Sequence, residues 1–190
     1  MEKDERQVAE WYNTLSGSYD ELYGGEQSSK HRTILEFLGN RHFRILVDIG
    51  CGTGSFLEKA NEVCDQSVGI DLSAKMLRIA KSRRIPKADF VLASSSSLPF
   101  KDQSSDCIVS VSTAKAEPNL PRFIADVQRV AHGDYLLAIT VFQRPGTKDP
   151  VSMPHVVLST KISERETLYF LRLAHRPGIA DDSALSLRGL

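Results

Sequence analysis

Apolar residues along the chain fall into two kinds of run. Short continuous stretches, Ile45-Leu46-Val47 and Cys107-Ile108-Val109 among them, have the length and apolar character of strands buried on both faces. Between them lie segments whose apolar residues return every three or four positions, as in helices with one buried stripe. This reading predicts strands over 44–48, 66–70, 89–93, 107–112 and 135–142. Helices are expected over 28–38, about 55–63, from Ser73 toward Pro86, and over 121–131. The alternation of strand and helix is that of a parallel sheet with helices on both faces.

The two ends of the chain read differently. Residues 4–23 place Val8, Trp11, Tyr12, Leu15, Tyr19 and Leu22 at helical spacing, with Ser16-Gly17-Ser18 breaking the segment into two helices. Gly24-Gly25 is expected to punctuate the chain, and Gly39-Asn40 to cap the helix that follows. After 142, Arg144-Pro145-Gly146 and the prolines at 150 and 154 predict a loop. Residues 155–160 and 167–174 then read as a closing antiparallel pair, since Thr167-Leu168-Tyr169-Phe170 is rich in strand formers. Ser163-x-x-Glu166 also fits a capping box, which leaves a helix over 163–175 as the alternative. The tail after Pro177 is expected to be disordered.

Composition narrows the class. With 190 residues, 41% hydrophobic and 25% charged, the chain suits one globular domain with a proper core. Its 24 basic and 24 acidic residues balance, so net charge does not point to nucleic acid. The basic run Lys75, Arg78, Lys81, Arg83, Arg84 and Lys87 reads as a solvated helix face. No apolar run is long enough for a membrane span, and Met1-Glu2-Lys3-Asp4-Glu5-Arg6 does not start a signal peptide. Cys51, Cys64 and Cys107 have no metal-ligand spacing, so no metal site is expected; they read as buried small hydrophobes in a cytoplasmic setting.

The chemistry gathers on one stretch. Ile45-Leu46-Val47-Asp48-Ile49 runs into Gly50-Cys51-Gly52-Thr53-Gly54 and then a helix start, a unit that cradles a cofactor because glycines admit close backbone approach. The spacing lacks the third glycine of the dinucleotide fingerprint and the Gly-Lys-Ser/Thr of a P-loop. Roughly 20 residues beyond Gly50, Asp71 ends the second strand, where a carboxylate can accept both vicinal hydroxyls of a ribose. That geometry fits adenosine in more than one cofactor.

Four motifs in order make the chain resemble the class I S-adenosylmethionine-dependent methyltransferases, most of all the ubiquinone/menaquinone-biosynthesis group. They are Asp48-x-Gly50-x-Gly52-x-Gly54, the run Gly69-Ile70-Asp71-Leu72-Ser73 to Met76-Leu77, Ser97-Leu98-Pro99-Phe100 through Asp106, and Asp126-x-x-Arg129-Val130. A tyrosine leader, with Tyr12 and Tyr19, precedes them. The resemblance implies a Rossmann-like, doubly wound, seven-stranded α/β sheet, mostly parallel with an antiparallel C-terminal strand. It implies S-adenosylmethionine as cofactor, held by Tyr19, Asp48, Gly50, Cys51, Gly52, Thr53, Gly54, Asp71, Leu72, Met76, Ser94, Ser95 and Val111. Tyr19 would lie near the methionine end, Asp71 at the ribose and Met76 near the adenine. Residues 1–40 would form a helical lid, 41–176 the cofactor domain and 177–190 the tail.

Two departures stand out. Ser94 occupies the place of the Asp or Asn that hydrogen-bonds the adenine amino group, which predicts weaker cofactor binding. Ser105 replaces a core Phe. The planar-amine motif Asn/Asp-Pro-Pro-Tyr/Phe is absent after the fourth strand, where Ser112 to Asn119 stands instead, so methylation of base or glutamine amines is disfavoured. His132 reads as a turn residue, Lys115 and Glu117 as surface residues with a place facing the transferred methyl as the alternative, and no catalytic base is named. The implied activity is methyl transfer to a small molecule. Transfer to RNA or protein, with an activating protein partner at an open site, and a non-catalytic S-adenosylmethionine-binding module are the alternatives. A homo-oligomer is compatible with each.

Overall fold

A computed structural model of the chain describes residues 3–115, 120–142 and 155–174. Helices α1 (Lys3–Leu15) and α2 (Tyr19–Leu38) lead into β1 (Phe43–Ile49), α3 (Ser55–Lys59), a 3-10 turn Asn61–Val63 and β2 (Cys64–Asp71). Then come α4 (Ala74–Ser82), β3 (Ala88–Leu92), β4 (Ser105–Lys115), α5 (Leu120–Val130), β5 (Ala131–Phe142), β6 (Val156–Ser163) and β7 (Glu166–Ala174).

One seven-stranded sheet in the order β3-β2-β1-β4-β5-β7-β6 carries the fold. Strands β3, β2, β1, β4 and β5 pair in parallel, and β7 alone runs against the others. The chain winds outward from β1 to β3 and then crosses to β4 on the other side. The order therefore reverses between β1 and β4, and a crevice opens there at the strands' C-terminal ends.

Alternation along the strands splits the core into two layers. Val47, Ile49, Ile108, Leu137, Ile139 and Leu171 face α5, which presents Phe123, Val127 and Val130. Leu46, Val109, Leu136, Ala138, Leu168 and Phe170 face α2 and α3, which present Ile34, Leu38, Phe56 and Leu57. Phe37 of α2 stacks on Phe170 of β7 with ring centroids 4.0 Å apart.

The five parallel strands lie where the apolar runs predict them, and 156–174 form a hairpin, not the alternative helix. Several boundaries differ. Gly24-Gly25 does not interrupt the chain, because α2 runs through both; each costs about 1 kcal/mol in a helix. Anchors on either side, Thr53 on Asp20 and Glu166 on Lys30, hold it straight. Gly39 caps α2 as expected, its N–H reaching Leu35 O at 2.9 Å. The helix expected to reach Val63 is a five-residue α3 and a 3-10 turn. His132 is not in a free turn. It lies in the irregular start of β5, where pairing jumps from Ser105–Ala131 to Cys107–Leu136 around Gly133 at φ +61°. Ser105, in place of a core Phe, is fully buried, and its one hydroxyl proton is shared between Ile45 O and Cys107 O, both at 3.0 Å, so it bridges β1 and β4. The 143–154 loop and the tail beyond Pro177 lie outside the described residues.

A charged pair sits inside this apolar frame. Lys30 of α2, 1% exposed, meets Glu166 of β7, 1% exposed, at 2.5 Å, with Glu26 at 2.7 Å on the solvent side. Breaking one partner strands the other in the interior. Glu166→Ala is expected to lower the unfolding free energy by about 3 kcal/mol in urea denaturation. The double change Lys30→Met with Glu166→Leu is expected to recover most of that loss.

Candidate cofactor-binding site

The glycine loop leaves β1 on three left-handed residues, Gly50, Gly52 and Gly54, at φ +78°, +53° and +78°. The Gly50 and Cys51 amides donate to Ile70 O at 2.8 and 2.9 Å, which pins the turn to β2. Two of the glycines serve different ends. A Cβ on Gly50 would sit 2.0 Å from Thr113 Oγ1, so that position is glycine because β4 packs against it. A Cβ on Gly52 would meet nothing within 4 Å, since it points into the open crevice.

Asp71 closes β2 and faces the same space. Its Oδ2 accepts the Gly52 amide at 2.9 Å and its Oδ1 the Ser73 amide at 2.7 Å, so one carboxylate orders the loop and the start of α4. Each oxygen keeps a further lone pair for a ligand hydroxyl. Burial raises the Asp71 pKa, while the amides of Ser73, Gly52 and Leu72 pull it down. Ser73 caps α4 by accepting from Met76 N at 3.1 Å. Its hydroxyl donates to Asn13 Oδ1, which also accepts the Lys75 amide and so docks the end of α1 on α4.

The resulting cavity holds about 600 Å³. Of the residues marked from sequence, it brings together Tyr19, Gly50, Gly52, Asp71, Leu72, Met76, Ser95 and Val111. The others stand behind the wall. Thr53 donates to Asp20 Oδ1 at 2.7 Å and Gly54 packs on Ala80, so both fix the loop to its neighbours. Cys51 is buried toward Gly69, and Ser94 spends its hydroxyl on Glu5. Asp48 is 2% exposed; burial, reinforced by the charge of Asp71, pushes its carboxyl up to about 8.

Sequence reasoning missed the far walls. Glu5, Val8 and Trp11 reach the cavity from α1, and their three-residue spacing was the available signal. Leu120, Arg122 and Phe123 of α5 and Phe142 of β5 also line the cavity. Tyr12, Tyr19 and Tyr23 form a ladder with Trp11, with successive centroids 4.8 to 6.2 Å apart. Burial raises the Tyr12 and Tyr19 phenols, so both stay protonated.

Ser112 is the strained element. At φ +57° it sits in a break of register between Ser110 and Ala114, a conformation costing on the order of 1–3 kcal/mol. Its hydroxyl turns into the buried network, accepting from Lys30 at 2.9 Å and Gln27 at 3.2 Å and donating to Glu166 at 3.1 Å. Lys115 ends β4, and Glu117 lies outside the described residues. The loop over Leu98 and Phe100 is held from below: Arg129 donates to both carbonyls, and Asp126 accepts the Leu98 amide.

The residues present fit a nucleoside. A carboxylate with spare acceptor capacity lies beside a glycine with an open cradle and an apolar wall of Ile70, Leu72 and Met76. Fold and crevice together define an α/β domain of the Rossmann-like, nucleoside-cofactor kind. Comparison with known proteins makes this more particular. Residues 47–139 match the methyltransferase domain family. The chain is 33% identical over 136 residues to an uncharacterised protein of Methanocaldococcus jannaschii, covering 70% of this chain and 51% of that protein. It is 27% identical over 150 residues to the demethylmenaquinone methyltransferase of Renibacterium salmoninarum, covering 76% of this chain and 62% of that enzyme. Among solved structures it is similar in fold to a chain of the complex between the Haloferax volcanii Trm112 methyltransferase activator and a methyltransferase-like partner. That likeness has a TM-score of 0.64 at 18% identity and covers 70% of this chain and 60% of the other. The chain thus spans about half of the first relative and under two thirds of the second. Over residues 47–139 it is similar to the class I S-adenosylmethionine-dependent methyltransferases, and S-adenosylmethionine is the cofactor this class implies.

Gly50→Ala drives a Cβ into Thr113 and is expected to cost about 2 kcal/mol or more in thermal or urea unfolding. Gly52→Ala adds only backbone strain of about 1 kcal/mol, yet it is expected to weaken S-adenosylhomocysteine binding roughly 10-fold in calorimetry by filling the cradle. For Asp48, the folded state holds its proton more tightly than an unfolded chain titrating near 3.8. Its contribution to stability is full below that pH and lost as pH rises through about 8. Asp48→Asn is expected to flatten this fall in urea denaturation of the ligand-free protein between pH 4 and 8; an unchanged slope would remove Asp48 as its source.

Proposed function

We propose that this chain transfers the methyl group of S-adenosylmethionine to a small-molecule acceptor. The observation carrying this reading is that one cavity joins both halves of such a site. Gly52, Asp71 and Met76 line the same space as the apolar side chains of Leu120, Phe123 and Phe142, with Arg122 among them. An apolar lining with one cation suits a ring-bearing acceptor with an acidic substituent. The demethylmenaquinone methyltransferase among the relatives supports a small-molecule acceptor.

In this reading Tyr19, Gly50, Gly52, Asp71, Leu72, Met76, Ser95 and Val111 contact the cofactor. Asp48, Cys51, Thr53, Gly54 and Ser94 shape the walls instead. Asp71 holds the ribose hydroxyls, and Leu72 and Met76 flank the base. Residues 1–40 act as a lid whose tyrosine ladder keeps water from the reacting end. When bound, S-adenosylmethionine supplies an electrophilic methyl on a sulfonium. The apolar lining positions the acceptor, and proximity and orientation supply most of the acceleration. Tyr12 and Tyr19 do not act as bases near neutral pH, since burial holds both phenols protonated.

A second reading is transfer to RNA or protein with an activating partner, favoured by the likeness to a chain complexed with the Trm112 activator. A labelled-methyl assay on cell extract, split into small-molecule, RNA and protein fractions, separates the two. Label in the small-molecule fraction is expected; label confined to a macromolecular fraction favours the second reading. Binding of neither S-adenosylmethionine nor S-adenosylhomocysteine in calorimetry would leave only a non-catalytic domain. Asp71→Ala is expected to weaken S-adenosylhomocysteine binding by roughly 100-fold or more, from two lost charge-assisted hydrogen bonds and the freed Gly52 and Ser73 amides. Retained affinity would move the ribose elsewhere.

A further inference from the structure

The end of β3 is built in an unusual way. Ser94 and Ser96 both point their hydroxyls at one oxygen of Glu5, donating to Oε1 at 2.5 and 2.8 Å. The Ser96 amide in turn donates to Ser94 Oγ at 2.9 Å, so the two serines form a small seat for a carboxylate brought by another element. Glu5 belongs to α1, 89 residues away from Ser94 in sequence. It lines the cavity beside Ala93, Ser95 and Ser96. The helix that carries it is fixed at its other end by Asn13 on Ser73 and Lys75.

We propose that Glu5 reads the exocyclic amino group of adenine; this rests on the reading that the cavity binds an adenosyl cofactor. With the ribose on Asp71 at the end of β2, the base extends sideways toward the next strand end, that of β3, across Leu72 and Met76. The amino group there is a donor and needs an acceptor. Ser94 and Ser96 are committed as donors to Glu5. The cavity-lining carboxylates are Asp71 and Glu5, and Asp71 serves the ribose. Ser94 thus does not replace an acid so much as hold one that the N-terminal helix delivers. Adenine recognition and docking of α1 are consequently one event, and the base is read by the lid.

Calorimetry with S-adenosylhomocysteine and with its deaminated analogue S-inosylhomocysteine tests this, on wild type, Glu5→Gln and Glu5→Ala. Wild type is expected to favour the amino form by roughly 10-fold, the value of one charge-assisted hydrogen bond. Glu5→Ala should bind both ligands with the same, weaker affinity. Glu5→Gln, whose amide can accept from an amine or donate to a carbonyl, should bind both about equally and more tightly than Glu5→Ala. An unchanged preference for the amino form in Glu5→Ala would overturn the assignment while leaving the adenosyl reading intact. Failure of wild type to bind S-adenosylhomocysteine would overturn both. Unfolding curves of the variants matching wild type in the absence of ligand would show that the loss lies in recognition, and a lowered melting temperature accompanied by retained preference would count against it.

Discussion

A single carboxylate at the end of β2 accepts one amide from the glycine loop and another from the first turn of α4. Every other part of the crevice is placed relative to Asp71. The loop can approach it only because Gly50 leaves room for Thr113 and because Gly50 and Cys51 hang on the carbonyl of Ile70. Helix α4 can start beside it only because Ser73 caps the helix and holds Asn13. The carboxylate's cost of burial is offset by these backbone donors, the arrangement that keeps a buried acid tolerable. Asp48, deeper in the same region, lacks such a set of amides acting on it and is pushed toward its neutral form.

What could be read from the sequence follows from how local each signal is. The central strands β1, β4 and β5 were legible because burial on both faces writes a continuous apolar run, and Asp71 because its place follows from the loop. The β6–β7 hairpin was legible from Thr167-Leu168-Tyr169-Phe170 despite a competing capping box. Continuity of α2 through Gly24-Gly25 was not, since what overrides two glycines is an anchor on β7 more than 130 residues away. The same holds within the site. Gly52, Asp71 and Met76 announce themselves, whereas Glu5 meets Ser94 only through tertiary docking, and Ser112's left-handed backbone has no sequence mark in a non-glycine residue.

The two halves of the crevice are built by different means. The cofactor half hangs on main-chain amides and strand ends, which the fold dictates. The rest of the lining comes from side chains of α1, α5 and the last residue of β5. Cross-strand and backbone constraints leave little freedom to the first half, while side chains such as Arg122 and Phe142 can change without disturbing the sheet. Among the described residues no helix is long and apolar enough to cross a membrane.

The buried lysine of α2 gives the C-terminal hairpin a part it would not have as a mere edge of the sheet. Lys30 and Ser112 stand directly under the cavity, and Glu166, the first residue of β7, is their common partner. Removing or exchanging the hairpin, as when domains are trimmed or recombined, would therefore leave the Lys30 ammonium with Glu26 alone and the strained serine without its carboxylate acceptor. The last two strands are keyed to the site by charge, so a borrowed hairpin would have to bring its own acid at that one position.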